Sequence, residues 1–306
     1  MVLIELIICN ETEPMNISIY RFIGIAALAA IFITGCGGGA FPDVVASKLN
    51  DQGPIFRSLS VTLSSPGGVE VEYWNEGSPH LVMQSLSASD TSYEISMPRL
   101  RANKTYSYVV RSIVEGRRSS QLANGDFQTG DLPADIKAMT FTANGVASEP
   151  LTFLTVRSTF TGGIIVDAEG QVVWYGRTSV APQGATRRAN GNWVIELNGV
   201  GLAEFSALGE QVGFLPQSRL APQIHHSVTA TPQNTLLFLA YEPRLYTGTS
   251  LKGESIWEWN PKDDSLVKRW SAFDFLDPSV DFGVRSVPSD WFHANSIAIG
   301  QHGNII

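Results

Sequence analysis

Cysteine is nearly absent. Of 306 residues only Cys9 and Cys36 are cysteines, so the disulfide framework that staples small secreted domains is excluded and stability must come from a buried core. Charge is sparse and leans one way, with 16% of residues charged and a formal net charge of -8. Lysine and arginine form no cluster larger than Arg117-Arg118 or Arg187-Arg188, which excludes the basic patch that a nucleic-acid partner needs. Any anion held by this chain has to be held locally. No apolar run reaches the roughly 20 residues that cross a bilayer as a helix. No metal-binding triad and no phosphate-binding glycine loop occurs, so neither metal nor cofactor is expected.

The apolar run that does exist lies at the front. Phe22 to Thr34 spans 13 residues, the length of a signal-peptide core. It ends in Ile33-Thr34-Gly35-Cys36, which resembles the bacterial lipobox, where a cysteine behind small residues is diacylated and becomes the mature N-terminus. Gly37-Gly38-Gly39 follows as a flexible tether. Glu5, Glu11 and Glu13 make an acidic lead where signal peptides carry positive charge, so translation is expected to start at Met15. Arg21 is then the single basic residue ahead of the core, Cys9 is never made, and no disulfide can form. Removing Arg21 and the three glutamates takes 21 basic and 29 acidic side chains to 20 and 26, a mature net charge of -6. The expected layout is a signal peptide over 1–35 and a lipidated Cys36 with its tether over 36–54. The protein would be anchored by lipid to the bacterial cell envelope, periplasmic or at the outer membrane.

From 55 to 131 the pattern is short strands of period-2 alternation between turn residues. Val69-Glu70-Val71-Glu72-Tyr73-Trp74 follows the turn Ser65-Pro66-Gly67-Gly68, and Tyr93-Glu94-Ile95-Ser96-Met97 is a second strand. Leu100 stands six residues before the strand tyrosine Tyr106, the spacing that marks a corner between sheets. With the closing Asp126-Phe127-Gln128-Thr129-Gly130, this segment resembles a fibronectin type III module. It carries no catalytic constellation and reads as a spacer or a surface for homodimerisation.

Past Pro133 the texture becomes repeated hairpins. One series of polar turns is Asn190-Gly191-Asn192, Gln233-Asn234-Thr235 and His302-Gly303-Asn304. The other is Ala168-Glu169-Gly170, Leu208-Gly209-Glu210 and Lys262-Asp263-Asp264. Members of a series recur about every 40 residues, stretched by loops such as Asp274 to Ser289, which suits a four-stranded propeller blade. One blade can be read whole: His226 to Ala230 innermost, then Leu236 to Ala240, Ile256 to Trp259, and Leu266 to Trp270. Residues 134–306 hold about four such blades at most, and Asn304-Ile305-Ile306 stops two residues into a strand. A truncated propeller, incomplete at its C-terminus, is therefore expected.

Histidines open two consecutive units, in Ile224-His225-His226-Ser227 and in Trp291-Phe292-His293-Ala294-Asn295-Ser296, at near-equivalent positions. Innermost strands of a propeller converge on one channel, so these imidazoles would face a shared site suited to an anion. The bland alternative for each histidine is a half-buried packing residue. Strand alternation sends His225 and His226 to opposite faces, and His226 is the one assigned to the channel. Arg285 and Asp290 flank His293 in a loop that could cap the channel and position its ring. Trp257, Trp259 and Trp270 read as packing between blades, Asp263-Asp264 as a solvated turn.

Taken with Ile164 to Tyr175, the double histidine at 225 and 226 and the Trp-x-His-x-Asn-Ser element at 291 to 296, the chain resembles the bacterial arylsulfotransferases. That resemblance implies a six-bladed propeller behind a small β-sandwich, exported from the cytoplasm. The implied activity is nucleotide-independent transfer of a sulfuryl group from a phenolic sulfate ester to a phenol through a sulfo-histidine. His226 and His293 match the family's sulfuryl-oxygen ligands. Ser227 stands where the family often has Asp, which leaves the carboxylate that would orient these rings unassigned. The implied arginine ligand and the nucleophilic histidine have no counterpart here, and His302, in a turn, is not promoted to that role. The 306-residue polypeptide is therefore expected to be a fragment without turnover. Two other classes stay open, a noncatalytic envelope lipoprotein serving as a binding platform and a cofactor-dependent propeller oxidoreductase.

Overall fold

The computed structural model describes residues 40–120, 123–142, 149–220, 222–281 and 290–306. The signal-peptide segment, Cys36, its glycine tether and Arg285 lie outside them. Eight strands precede the only α-helix among the described residues: β1 (Val44–Gly53), β2 (Phe56–Leu63), β3 (Gly68–Asn75), β4 (Leu81–Ser85), β5 (Ser92–Met97), β6 (Thr105–Val114), β7 (Arg117–Arg118) and β8 (Ala123–Gln128). They pair antiparallel into two sheets, β1-β2-β5 and β4-β3-β6-β7, with β8 also on β6.

Alternation explains how these sheets pack. Val69, Val71 and Tyr73 of β3 are fully buried, as are Leu59 of β2 and Met97 of β5. On the other face of β3 Glu70 is buried too, satisfied by Arg118 at 2.8 Å. Of the pair Leu100 and Tyr106, Leu100 is fully buried, and the Tyr106 hydroxyl accepts the Arg101 amide at 2.8 Å. One boundary is corrected. Val44–Gly53, placed in the tether, forms a strand along β2. Its sequence hides this because two register shifts break the alternation.

The short helix α1 (Ala134–Lys137) leads to three more sheets. The first is β9 (Leu151–Arg157), β10 (Thr161–Asp167) and β11 (Val172–Arg177). The second is β12 (Pro182–Arg187), β13 (Trp193–Leu197), β14 (Gly201–Phe205) and β15 (Gln211–Pro216). The third is β16 (Ile224–Ala230), β17 (Leu236–Tyr246), β18 (Thr249–Asn260) and β19 (Ser265–Ser271). In each, sequence neighbours pair antiparallel. The strands read for the His226 unit all fall within β16 to β19.

Facing sheets bury alternate residues of β13 on both sides. Ile195 joins Trp174 and Phe205 in one core, while Val194 joins Leu202, Ile224, Val228 and Phe238 in the next. A strand covered on both faces reads as a continuous apolar run, which is why Trp193-Val194-Ile195 shows no alternation. Trp259 is buried in that second core, with Trp257 against it, and Trp270 packs beside Leu251 and Trp291. The segment after His293 makes only a single bridge, Ile299 with Ile305, rather than the full strand expected. None of the described sheets closes on itself, and no described helix is long and apolar enough to cross a membrane.

Candidate functional site

The site starts from a break in strand geometry. Between the pairs Ile224↔Ala240 and Val228↔Phe238 the register of β16 shifts, so residues 225 to 227 oppose only Leu239. The slack is taken up at His226, whose φ of 57° lies in the left-handed region, uncommon for a side-chain-bearing residue. The opposed directions expected of a regular strand are lost. The rings of His225 and His226 sit with centroids 4.9 Å apart, and both approach His293, at 5.7 Å and 5.2 Å.

Each imidazole has a distinct environment. The His226 amide donates to Gln183 Oε1 at 3.0 Å, and its Nε2 lies 3.2 Å from His293 Nε2. His293 Nδ1 lies 2.9 Å from Asp290 Oδ1. A carboxylate accepts only, so Nδ1 carries the proton of a neutral His293 and its Nε2 presents a lone pair to the Nε2–H of His226. Partial burial, then the neighbouring His293 and Arg157, hold the His226 imidazole below its ordinary pKa. His225 is deeper. Its ring stacks on Tyr241 at 3.7 Å, and its Nε2 meets Glu254 Oε2 at 2.7 Å with both side chains buried. Burial pushes Glu254 up to about 9 and His225 down to about 3, so at neutral pH a carboxylic acid donates to a neutral imidazole. His225 Nδ1 and Glu254 Oε1 keep no hydrogen-bond partner among the described residues.

Lys252 completes the cluster, with its Nζ 3.9 Å over the Tyr241 ring and 3.8 Å from Asp290. Buried carboxyls that stay protonated add no negative charge. Lys252 offsets the Asp290 carboxylate, so the cluster carries no excess negative charge, and the Nε2–H of His226 is the donor that an anion could take over from His293.

The fold brings His225, His226, His293 and Asp290 together. Asp290 supplies the orienting carboxylate for His293 that Ser227 could not; Ser227 Oγ instead accepts the Ile297 amide at 3.2 Å. One expectation is corrected. In the closing turns, the amides of Gly191, Asn234 and Gly303 donate to the carbonyls of Arg188, Thr231 and Gly300. Counting back along the chain from these carbonyls makes Gln183, His226 and Asn295 equivalent, while His293 corresponds to Ile224 and reaches the site from two residues earlier.

Tyr241, Lys252 and Glu254 were missed from the sequence. A signal was present: Thr247 and Gly248 both have positive φ, the two-residue hairpin turn that fixes register, and counting back from Tyr246↔Thr249 places Tyr241 opposite Glu254.

Residues 137–306 match the family described as arylsulfotransferase (ASST), a span that holds β9 to β19 and every residue of the cluster. No curated protein matches the chain. Among the solved structures that match, a chain from a computer-based redesign of a β-sandwich protein is 19% identical, covers 30% of this chain and 96% of its own length, and has a TM-score of 0.24.

Proposed function

Because the chain belongs to the arylsulfotransferase (ASST) family, we propose that it serves transfer of a sulfuryl group from a phenolic sulfate ester to a phenol, with His226 and His293 contacting the sulfuryl oxygens. One observation carries this: two Nε2 atoms 3.2 Å apart, one on a ring held by Asp290 and the other on a ring laid against His225, which with a proton on each nitrogen would reach neighbouring oxygens of one tetrahedral anion. Transfer asks for positive charge or donors on the oxygens that do not react and for a positioned nucleophile. In the proposed sequence a histidine nitrogen attacks sulfur, the bond from sulfur to the aryl oxygen breaks, and the leaving phenolate takes a proton. A second phenol then gives up its proton, attacks the sulfo-histidine and frees the ring. None of the five histidines of this sequence is given the nucleophile's role. Asp290 keeps the His293 Nε2 facing the site, and the buried Glu254–His225 pair sets the wall against which His226 lies.

The rest of the proposal follows the sequence. The two sheets β1-β2-β5 and β4-β3-β6-β7, the latter with β8 on β6, are those of a fibronectin-III-like sandwich, also the surface for a homodimer, and β9 to β19 are the first blades of a six-bladed propeller. Lipid on Cys36 would hold the protein at the bacterial envelope. The test is incubation of the complete gene product with an aryl sulfate and no acceptor, followed by mass spectrometry. A histidine heavier by about 80 Da supports the covalent route, with transfer to added phenol slowed about 100-fold or more in His226→Ala and His293→Ala. Intact folded protein that takes up no sulfuryl group would instead favour a binding platform.

A further inference from the structure

We propose that Arg157 is a third contact for the sulfuryl anion, a guanidinium supplied to the His226–His293 pair from the neighbouring sheet. The assignment rests on the sulfotransfer reading above and adds a residue to it.

Arg157 is the last residue of β9 and is exposed. Its Nε and Nη2 donate to the carbonyl of Pro182 at 3.1 and 2.9 Å, which clamps the guanidinium to the first residue of β12. The next two residues of β12 touch His226 directly. Gln183 Oε1 accepts the His226 amide, and a Cβ on Gly184 would lie 2.4 Å from the His226 carbonyl oxygen. Three consecutive residues, 182 to 184, thus join the clamped guanidinium to the backbone of His226, and after burial and His293 the Arg157 charge also lowers that imidazole.

The charge of Arg157 is not spent elsewhere. Arg177, Arg188, Arg219, Arg244 and Arg269 each pair with a carboxylate, whereas no carboxylate among the described residues pairs with Arg157. The nearby carboxyl is Glu196, opposite Gly184 in β13. It is fully buried, both its oxygens lack a hydrogen-bond partner among the described residues, and burial raises it to about 7, so below neutral pH it leaves the guanidinium largely uncompensated. An unpaired planar cation fixed by a backbone carbonyl is preorganised for a sulfate or sulfate ester, whose oxygens match two N–H donors.

Calorimetric titration with inorganic sulfate, and with 4-nitrophenyl sulfate, tests this on the full chain. Arg157→Ala should weaken sulfate 10-fold to 100-fold, as loss of a hydrogen bond to a charged group does. Arg157→Gln, which keeps a donor for Pro182 but no charge, should weaken it similarly, and Arg157→Lys should retain part. Binding within twofold of wild type in Arg157→Ala or Arg157→Gln, alongside loss in His226→Ala, overturns the assignment and leaves the histidine site standing. A wild-type chain that binds neither probe overturns both.

Discussion

His226 Nε2 and His293 Nε2 lie 3.2 Å apart, although the two residues occupy different positions in the repeat. His226 reaches the meeting point only because its backbone turns left-handed at a bulge, and His293 only because it lies ahead of the Ile299–Ile305 bridge and is steered by Asp290. Two irregularities converge on one spot, the pattern of a site rather than of packing.

His226 trades stability for position. A left-handed conformation costs a residue with a Cβ about 1 kcal/mol, and asparagine tolerates it better than most. His226→Asn should therefore keep or slightly raise the thermal midpoint while sulfate binding falls below detection. A variant that both loses stability and keeps sulfate binding would show the ring to be structural.

Gly184 should admit no side chain. A Cβ there would meet the His226 carbonyl oxygen at 2.4 Å, a backbone atom with no room to withdraw, so β12 and β16 must separate. Gly184→Ala should cost about 1 to 3 kcal/mol in urea unfolding and weaken sulfate binding with it.

The Glu254–His225 pair makes stability depend on pH in a defined direction. Burial pushes the Glu254 carboxyl from its ordinary 4.5 up to about 9, so across that interval the native state holds a proton that the unfolded chain releases, and stability falls as pH rises. His225 has the opposite shift, from 6.5 to about 3, so stability also falls as pH drops below 6.5. Glu196 contributes only up to about 7. Between pH 7 and 9 Glu254 acts alone among these three, at no more than about 1.4 kcal/mol per pH unit. Glu254→Gln, whose amide can still donate to His225, should flatten the urea midpoint over that window. Equal slopes in both proteins would show Glu254 to be ionised already.

A buried ion pair within the sheet β12-β13-β14-β15 is tied to the turn ahead of β17 in the next sheet. Arg188 Nη1 meets Glu204 at 2.6 Å with both side chains buried, and Arg188 Nη2 donates to the Asn234 carbonyl at 2.9 Å. Glu204→Ala strands the cation and should cost about 3 to 5 kcal/mol. The double variant Arg188→Met, Glu204→Leu should recover most of it, as read from urea unfolding.

Much of this was legible in the sequence, for physical reasons. Val69 to Trp74 announces β3 because one face is packed, and the turns at Asn190-Gly191 and Gln233-Asn234 announce hairpins because positive φ selects Gly and Asn. The double histidine drew attention through residue type alone. Its geometry did not follow, since alternation fails at a bulge where three residues of β16 face one of β17. Arg157, Lys252 and Glu254 belong to the site only through pairing across strands and sheets, which no local pattern records. β1 was hidden because an irregular strand such as Ser47-Lys48-Leu49-Asn50-Asp51 has polar residues on both faces.

Imidazole nitrogen shifts of His226 and His293, followed by NMR as 4-nitrophenyl sulfate is added, test the central claim most directly. The two Nε2 signals should move together along one binding curve, while those of the exposed His80 and His302 stay still. Shifts confined to His80 or His302, or none at saturating ligand, would contradict an anion held between His226 and His293.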